Sequence, residues 1–106
     1  MKFITRIPTH DNAGVAFDQE LLDTVVLDVA IRFGGFTLSD PSRGGWIDPQ
    51  SGQLYDEPAR TLEVVCERSD YNDAYAIVKA LGRQLSQEAM YFEIQHFDGV
   101  EFIDCR

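Results

Sequence analysis

Two segments of this chain carry one apolar stripe each at helical spacing, and they constrain the architecture more than anything else in it. Leu21, Leu22, Val25, Val26, Val29 and Phe33 recur three and four apart, as do Ala74, Ile77, Val78, Leu81 and Leu85. That is the period of a helix with a single buried face. Such a helix needs one surface to lie on and leaves its back to water, which points to two packed layers. The first helix is predicted to start at Asp18, an N-cap, with Phe17 and Leu22 spaced as a hydrophobic staple. Gly34 ends it, since glycine takes the left-handed C-cap conformation without steric cost. The second helix starts near Ser69 or Asp70. Leu27 and Ile31 project from the back of the first helix and hint at self-association.

The layer beneath is a sheet. Residues 2–7 alternate as a strand, which Pro8 ends, and residues 36–39 form a second. Residues 61–67 make the clearest strand, with Leu62, Val64 and Cys66 on one face and Glu63, Val65 and Glu67 on the other. Residues 89–97 give a fourth strand, and the tight-turn pair Asp98-Gly99 predicts a short last strand over 100–105. Pro41, Gly44, Gly45, Pro49, Gly52 and Pro58 punctuate residues 40–60, which read as a long loop. Within it, Trp46-Ile47 and Leu54-Tyr55 flank residues 48–52 as a small inner hairpin.

The order is β-α-β-β-α-β. The expected fold is therefore one α+β domain over residues 1–106, a ferredoxin-like two-layer sandwich with both helices on one sheet face. An extra C-terminal β-hairpin strand and a long Gly/Trp loop between strands 2 and 3 complete it. A mixed sheet of different strand order is the competing topology. Thr37, Glu63, Val65, Tyr91 and Glu93 are assigned to the uncovered sheet face.

Charge narrows the function classes. Eighteen acidic residues against nine basic ones give a net charge of −9. That field repels phosphate backbones and anionic membranes, and the scattered basic residues form no stripe, so neither nucleic acid nor membrane is an expected partner. No apolar run approaches the roughly 20 residues of a membrane span, and the N-terminus lacks signal-peptide features, so the expected location is cytoplasmic. Cys66, Cys105 and the two histidines are not clustered, and no metal site or cofactor is expected. A Cys66–Cys105 disulfide would need the last strand beside strand 61–67, in a compartment that keeps thiols reduced.

Gly34-Gly35-Phe36-Thr37, then Gly45-Trp46 with Asp48 and Gly52, then Glu57 and Leu62-Glu63-Val64-Val65, carry a resemblance. They resemble a family of small uncharacterised bacterial domains with a GGxT…GxW…E pattern ahead of an apolar strand and helix. The resemblance covers roughly the middle half of the chain. Family members tend to carry export signals, which this chain lacks. It implies the same fold and no particular reaction.

Familiar site chemistries are missing. Arg43-Gly44-Gly45 lacks the Lys and Ser/Thr of a phosphate-binding loop, and Gly34-Gly35 precedes a strand, so these glycines are read as serving turn geometry. Residues 48–52 lack the alternating acids and closing glutamate of a calcium loop. No nucleophile signature is present. What remains is the surface where the Gly/Trp loop meets the open sheet face. Trp46 and Tyr55 would supply apolar contact there, and Arg43 and Glu57 orienting charges. Glu63 and His96 join them if the loop folds over the sheet. The reading is a small binding or regulatory module, a homo-oligomer and most simply a dimer, taking a small molecule or a protein partner. Two alternatives stay open. One is a small isomerase- or lyase-like enzyme pairing Glu57 or Glu63 with His10 or His96, His10 being the histidine with a carboxylate neighbour, Asp11. The other is an interaction module whose acidic surface docks a basic partner.

Overall fold

The alternation of residues 2–8 lets one strand serve two neighbours and two faces. In the computed structural model, which describes residues 1–106, β1 (Lys2–Pro8) sits inside a five-stranded antiparallel sheet. On one side it pairs with β4 (Leu54–Val65), from Lys2 opposite Val65 to Pro8 opposite Ala59. On the other it pairs with the short β5 (Phe92–Gln95), from Lys2 opposite Gln95 to Thr5 opposite Phe92. β2 (Thr37–Leu38) and β3 (Ser42–Ile47) take successive stretches of the far edge of β4, so the sheet runs β2-β4-β1-β5 with β3 beside β4. α1 (Gln19–Phe33) joins β1 to β2, and a 3-10 turn (Arg68–Asp70) with α2 (Tyr71–Gln84) joins β4 to β5. No helix is long and apolar enough to cross a membrane.

Both apolar stripes face the sheet, as their spacing requires. Phe3 and Ile7 of β1 and Leu62 and Val64 of β4 are buried with Leu22, Val25, Val26 and Val29 of α1. Ala74, Val78, Leu81 and Leu85 bury against the same layer. Phe3 is central, with its ring edge-on to Phe33 at 5.4 Å between centroids and 5.9 Å from Phe92. The caps form as expected: the Asp18 carboxylate accepts from the Glu20 N–H, and Gly34 takes φ 89°. Leu27 and Ile31 stay exposed on the back of α1.

The residues between the core positions, Lys2, Ile4, Arg6 and Pro8 on β1 and Ala59, Thr61, Glu63 and Val65 on β4, share the opposite face by the two-residue period of a strand. No helix covers that face.

The expected long loop between strands 2 and 3 is instead a β-hairpin. β3 and a β4 of twelve residues pair from Ser42 opposite Ala59 to Ile47 opposite Leu54, closed by the turn at 48–53. Pro58 does not interrupt it. Its carbonyl accepts from the Thr9 N–H at 3.2 Å, on the side away from β3. A strand residue presents N–H and C=O to the same side, so the missing proline N–H faces away from β3 and the β3–β4 ladder loses nothing.

The predicted C-terminal β-hairpin strand does not form. No strand follows β5, and Val100, Phe102 and Ile103 are exposed. Gly99 lies at φ 137°, far from the roughly +60 to +90° that mirror-image hairpin turns need, so Asp98-Gly99 does not fold the chain back. Without that strand nothing brings Cys105 to Cys66, and both thiols are free. Cys66 follows β4 and exchanges backbone bonds with Met1. The radius of gyration is 14.9 Å, above the roughly 13 Å of a compact chain this long, because the hairpin and the tail project.

Candidate functional site

β4 outruns its neighbour. β1 stops opposite Ala59, while β4 continues out to Leu54 paired with β3 alone. The overhanging hairpin forms one wall of a cleft beyond the end of β1. Gly44, Gly45, Trp46, Tyr55 and Glu57 line it. Arg6, Pro8 and Ala59 contribute from the sheet, and Gln87, Ala89, Met90 and Tyr91 from the connection between α2 and β5. The cavity holds about 510 Å³.

Register builds the aromatic wall. Trp46 and Tyr55 are directly opposite across the hairpin, and their rings stack at 4.9 Å between centroids and 16° between planes. Cross-strand aromatic pairs of this kind hold a hairpin together. Trp46 keeps 44% of its surface exposed. Glu57, opposite Gly44, is the one carboxylate lining the cleft.

Arg6 lies along the sheet at the foot of the hairpin. Its Nη1 donates to Ser42 Oγ at 3.2 Å and Thr61 Oγ1 at 3.1 Å, and its Nη2 donates to the Ser42 carbonyl at 3.1 Å. No carboxylate pairs with it: the ion pairs join Lys2 to Glu63, Arg32 to Asp73, Arg43 to Asp56 and Arg106 to Asp104. Gly44 makes room for it. A Cβ there would stand 2.9 Å from Arg6 Nη2, 3.2 Å from Cζ and 3.3 Å from Nε. A Cβ on Gly45 would meet the Tyr55 carbonyl oxygen at 3.1 Å. These two glycines therefore serve close approach within a strand, not the turn geometry expected of them.

Beside the cleft, the Tyr91 phenol donates to Glu93. That bond raises the phenol pKa, and together with the bond from Gln95 it lowers that of the Glu93 carboxyl.

Of the residues singled out from sequence, the structure brings Trp46, Tyr55 and Glu57 to one cleft and leaves Arg43, Glu63 and His96 outside it. Arg43 alternates with Gly44 and projects to the other side of β3. There it grips Asp56 through Nε at 3.0 Å and Nη2 at 2.6 Å, which raises the guanidinium pKa and lowers that of the carboxyl. Glu63 is six residues along β4 from Glu57, roughly 20 Å at strand spacing, and sits 3.8 Å from Lys2. His96 follows β5 and is exposed. His10 bonds to Thr9 Oγ1 at 2.7 Å, while the Asp11 carboxylate accepts from the Ala13 and Val15 N–H groups instead of orienting the imidazole.

Sequence reasoning missed Arg6 as a site residue, along with Met90 in the facing wall. Arg6 does fall on the open-face parity of β1, with Lys2 and Ile4. That parity was the available signal, but nothing local ties it to a hairpin some forty residues away.

No protein-family model matches the chain, and no curated protein matches it. Among solved structures it resembles a phage SAM lyase in complex with S-methyl-5'-thioadenosine. The TM-score is 0.69 at 19% sequence identity, covering 89% of this chain and 78% of that one. A phage SAM lyase in the apo state superposes with a TM-score of 0.59 at 18% identity, covering 89% of this chain and 76% of the other. At such identities the likeness is one of fold: a small α+β domain with a five-stranded antiparallel sheet and two helices.

Proposed function

We propose that this chain is a small-molecule-binding protein whose cleft takes an adenosyl thioether or sulfonium, S-methyl-5'-thioadenosine or SAM (S-adenosylmethionine), and that it acts as a lyase on the latter. The observation that carries this reading is the half-exposed Trp46–Tyr55 stack lining a cleft of about 510 Å³ together with a single carboxylate, Glu57. The fold shared with a lyase that holds the thioether adds support. So does the strand order, which fits a ferredoxin-like core with the β3–β4 hairpin as an elaboration of it.

The chemistry suits the walls. A purine ring stacks on an indole or phenol face irrespective of its hydrogen-bonding edge. A sulfonium cation is attracted both to the face of an aromatic ring and to a nearby carboxylate. The chain's net charge of −9 favours approach of a cation. Conversion of SAM to the methylthioadenosine breaks the bond between sulfur and the aminobutyryl γ-carbon while an oxygen of the substrate's own α-carboxylate bonds to that carbon, so the second product leaves as a lactone. Sulfur keeps the electron pair and becomes neutral, so the product loses its attraction to Glu57. The cavity volume falls within the ~300–1,000 Å³ of typical small-molecule sites.

Calorimetric titration with S-methyl-5'-thioadenosine, alongside chromatography of SAM incubated with the protein, tests this. Wild type is expected to bind the thioether and to release it from SAM. Stacking on one aromatic side chain contributes about 1–3 kcal/mol, so Trp46→Ala should weaken binding by roughly 5- to 150-fold. The lost Tyr55 stack should cost only about 0.5–1.5 kcal/mol of stability beyond the buried area. No binding by wild type, or a lowered melting temperature with unchanged affinity in Trp46→Ala, rules the reading out.

A further inference from the structure

Arg6 is engaged on one edge and free on the other. A guanidinium has five N–H donors in a rigid planar fork. Ser42 occupies the terminal edge, its Oγ on Nη1 and its carbonyl on Nη2, and Thr61 Oγ1 takes the remaining Nη1 donor. The Nε–H and the second Nη2–H are left, side by side on the lateral edge of the fork. The chain itself shows what that edge holds well: Arg43 grips Asp56 through the same two atoms, Nε and Nη2. Arg6 has no such partner, yet it lines the cleft with Glu57 as the lone carboxylate there.

We propose that Arg6 is the carboxylate-recognition residue of this cleft, and that the preferred ligand carries a free α-carboxylate on its adenosyl thioether. This rests on the adenosyl reading above and sharpens it. Arg6 would receive the carboxylate in two parallel hydrogen bonds, while Glu57 faces the cationic part of the same ligand. A thioether without an amino-acid arm, such as S-methyl-5'-thioadenosine, leaves the Arg6 edge unfilled. The cleft would thus discriminate an amino-acid-bearing substrate from the truncated product. Bidentate, charge-assisted pairing also carries directional specificity that a lysine in the same place would not.

Three probes separate the possibilities by calorimetry: S-adenosylhomocysteine, its decarboxylated analogue, and S-methyl-5'-thioadenosine. Wild type should bind S-adenosylhomocysteine at least about tenfold more tightly than either of the others, the weight of a charged hydrogen-bond pair. Arg6→Gln should abolish that gap, whatever it does to the affinity common to all three ligands, and Arg6→Lys should restore only part of it. If wild type binds methylthioadenosine but does not distinguish S-adenosylhomocysteine from its decarboxylated analogue, the role of Arg6 is overturned and the adenosyl reading stands. If wild type binds none of the three, both fall. Should the Arg6 variants fail to fold, the comparison of the two homocysteine ligands on wild type decides alone.

Discussion

Gly44→Ala isolates what the glycine does, because the three atoms nearest the new methyl all belong to one group, the Arg6 guanidinium at 2.9–3.3 Å. That group is the far end of a flexible side chain, so the strand stays and the guanidinium moves. Moving it removes up to three hydrogen bonds of 3.1–3.2 Å, to Ser42 Oγ, the Ser42 carbonyl and Thr61 Oγ1. Solvent reaches this site, so each is worth the lower part of the usual range, about 0.5–1 kcal/mol. Against that loss, alanine in a strand interior is favoured over glycine by about 0.5–1 kcal/mol. The net destabilisation expected is about 1–2 kcal/mol, readable by urea denaturation followed through the fluorescence of Trp46, the sole tryptophan. Binding of S-adenosylhomocysteine should fall about tenfold or more, as with Arg6→Gln, since the carboxylate edge is displaced. The decisive assay is the double-mutant cycle. With Arg6→Gln already in place the clash is gone, and Gly44→Ala should become neutral or stabilising. Additive stability effects in the cycle would refute the argument that Arg6 is what requires this glycine.

Gly82→Ala and Asp56→Asn test the packing behind Met90 and the hairpin that overhangs the cleft. Gly82 is buried on α2, where a Cβ would lie 2.6 Å from Met90 Cγ. Gly82→Ala should therefore destabilise by about 1–2 kcal/mol through overpacking. In a Met90→Ala background it should instead stabilise by up to about 1 kcal/mol, the helix preference for alanine; the same sign in both backgrounds, by thermal denaturation, counts against this. The hairpin should also respond to acid. The Arg43 hydrogen bonds lower the pKa of Asp56 in the folded state. Its contribution is thus complete above the unfolded carboxyl value of about 3.9 and is lost as pH falls through the depressed folded value. Asp56→Asn should flatten the acid limb of Trp46 fluorescence, and an unchanged limb counts against the Arg43–Asp56 pair as its source.

Local chemistry made much of this fold legible. Gly34 ends α1 at a left-handed φ, Asp18 caps it, and both apolar stripes bury the residues their spacing selects, because each follows from contacts within a turn or two of chain. The inner hairpin at 48–52 was also readable, from two aromatic-aliphatic pairs flanking turn residues. What sequence reasoning could not see was that this hairpin runs on to Ser42 and Ala59. Pro58, Gly44 and Gly45 all read as loop punctuation, and their tolerance depends on partners distant in sequence. Pro58 is accommodated because its nitrogen faces away from β3, and Gly44 is small because Arg6 crosses it. Asp98-Gly99 misled in the opposite direction. Gly99 takes φ 137° instead of a hairpin-turn conformation, and no strand follows β5.

The cleft owes its existence to a mismatch of strand lengths. β1 ends opposite Ala59, and β4 continues with support from β3 alone, so the hairpin overhangs a space that no strand fills. An unsupported two-stranded overhang is marginally stable by itself. Here its root is tied back to β1 by the Thr9 N–H on the Pro58 carbonyl and by the Arg6 guanidinium on Ser42 and Thr61. The group that anchors the hairpin is thus also the one that presents two unused donors at the cleft. A ligand held on the lateral edge of Arg6 fixes the guanidinium, and a fixed guanidinium fixes Ser42 and the strand that carries Trp46. Binding at one end of the cleft and placement of the aromatic wall at the other are therefore coupled through a single side chain.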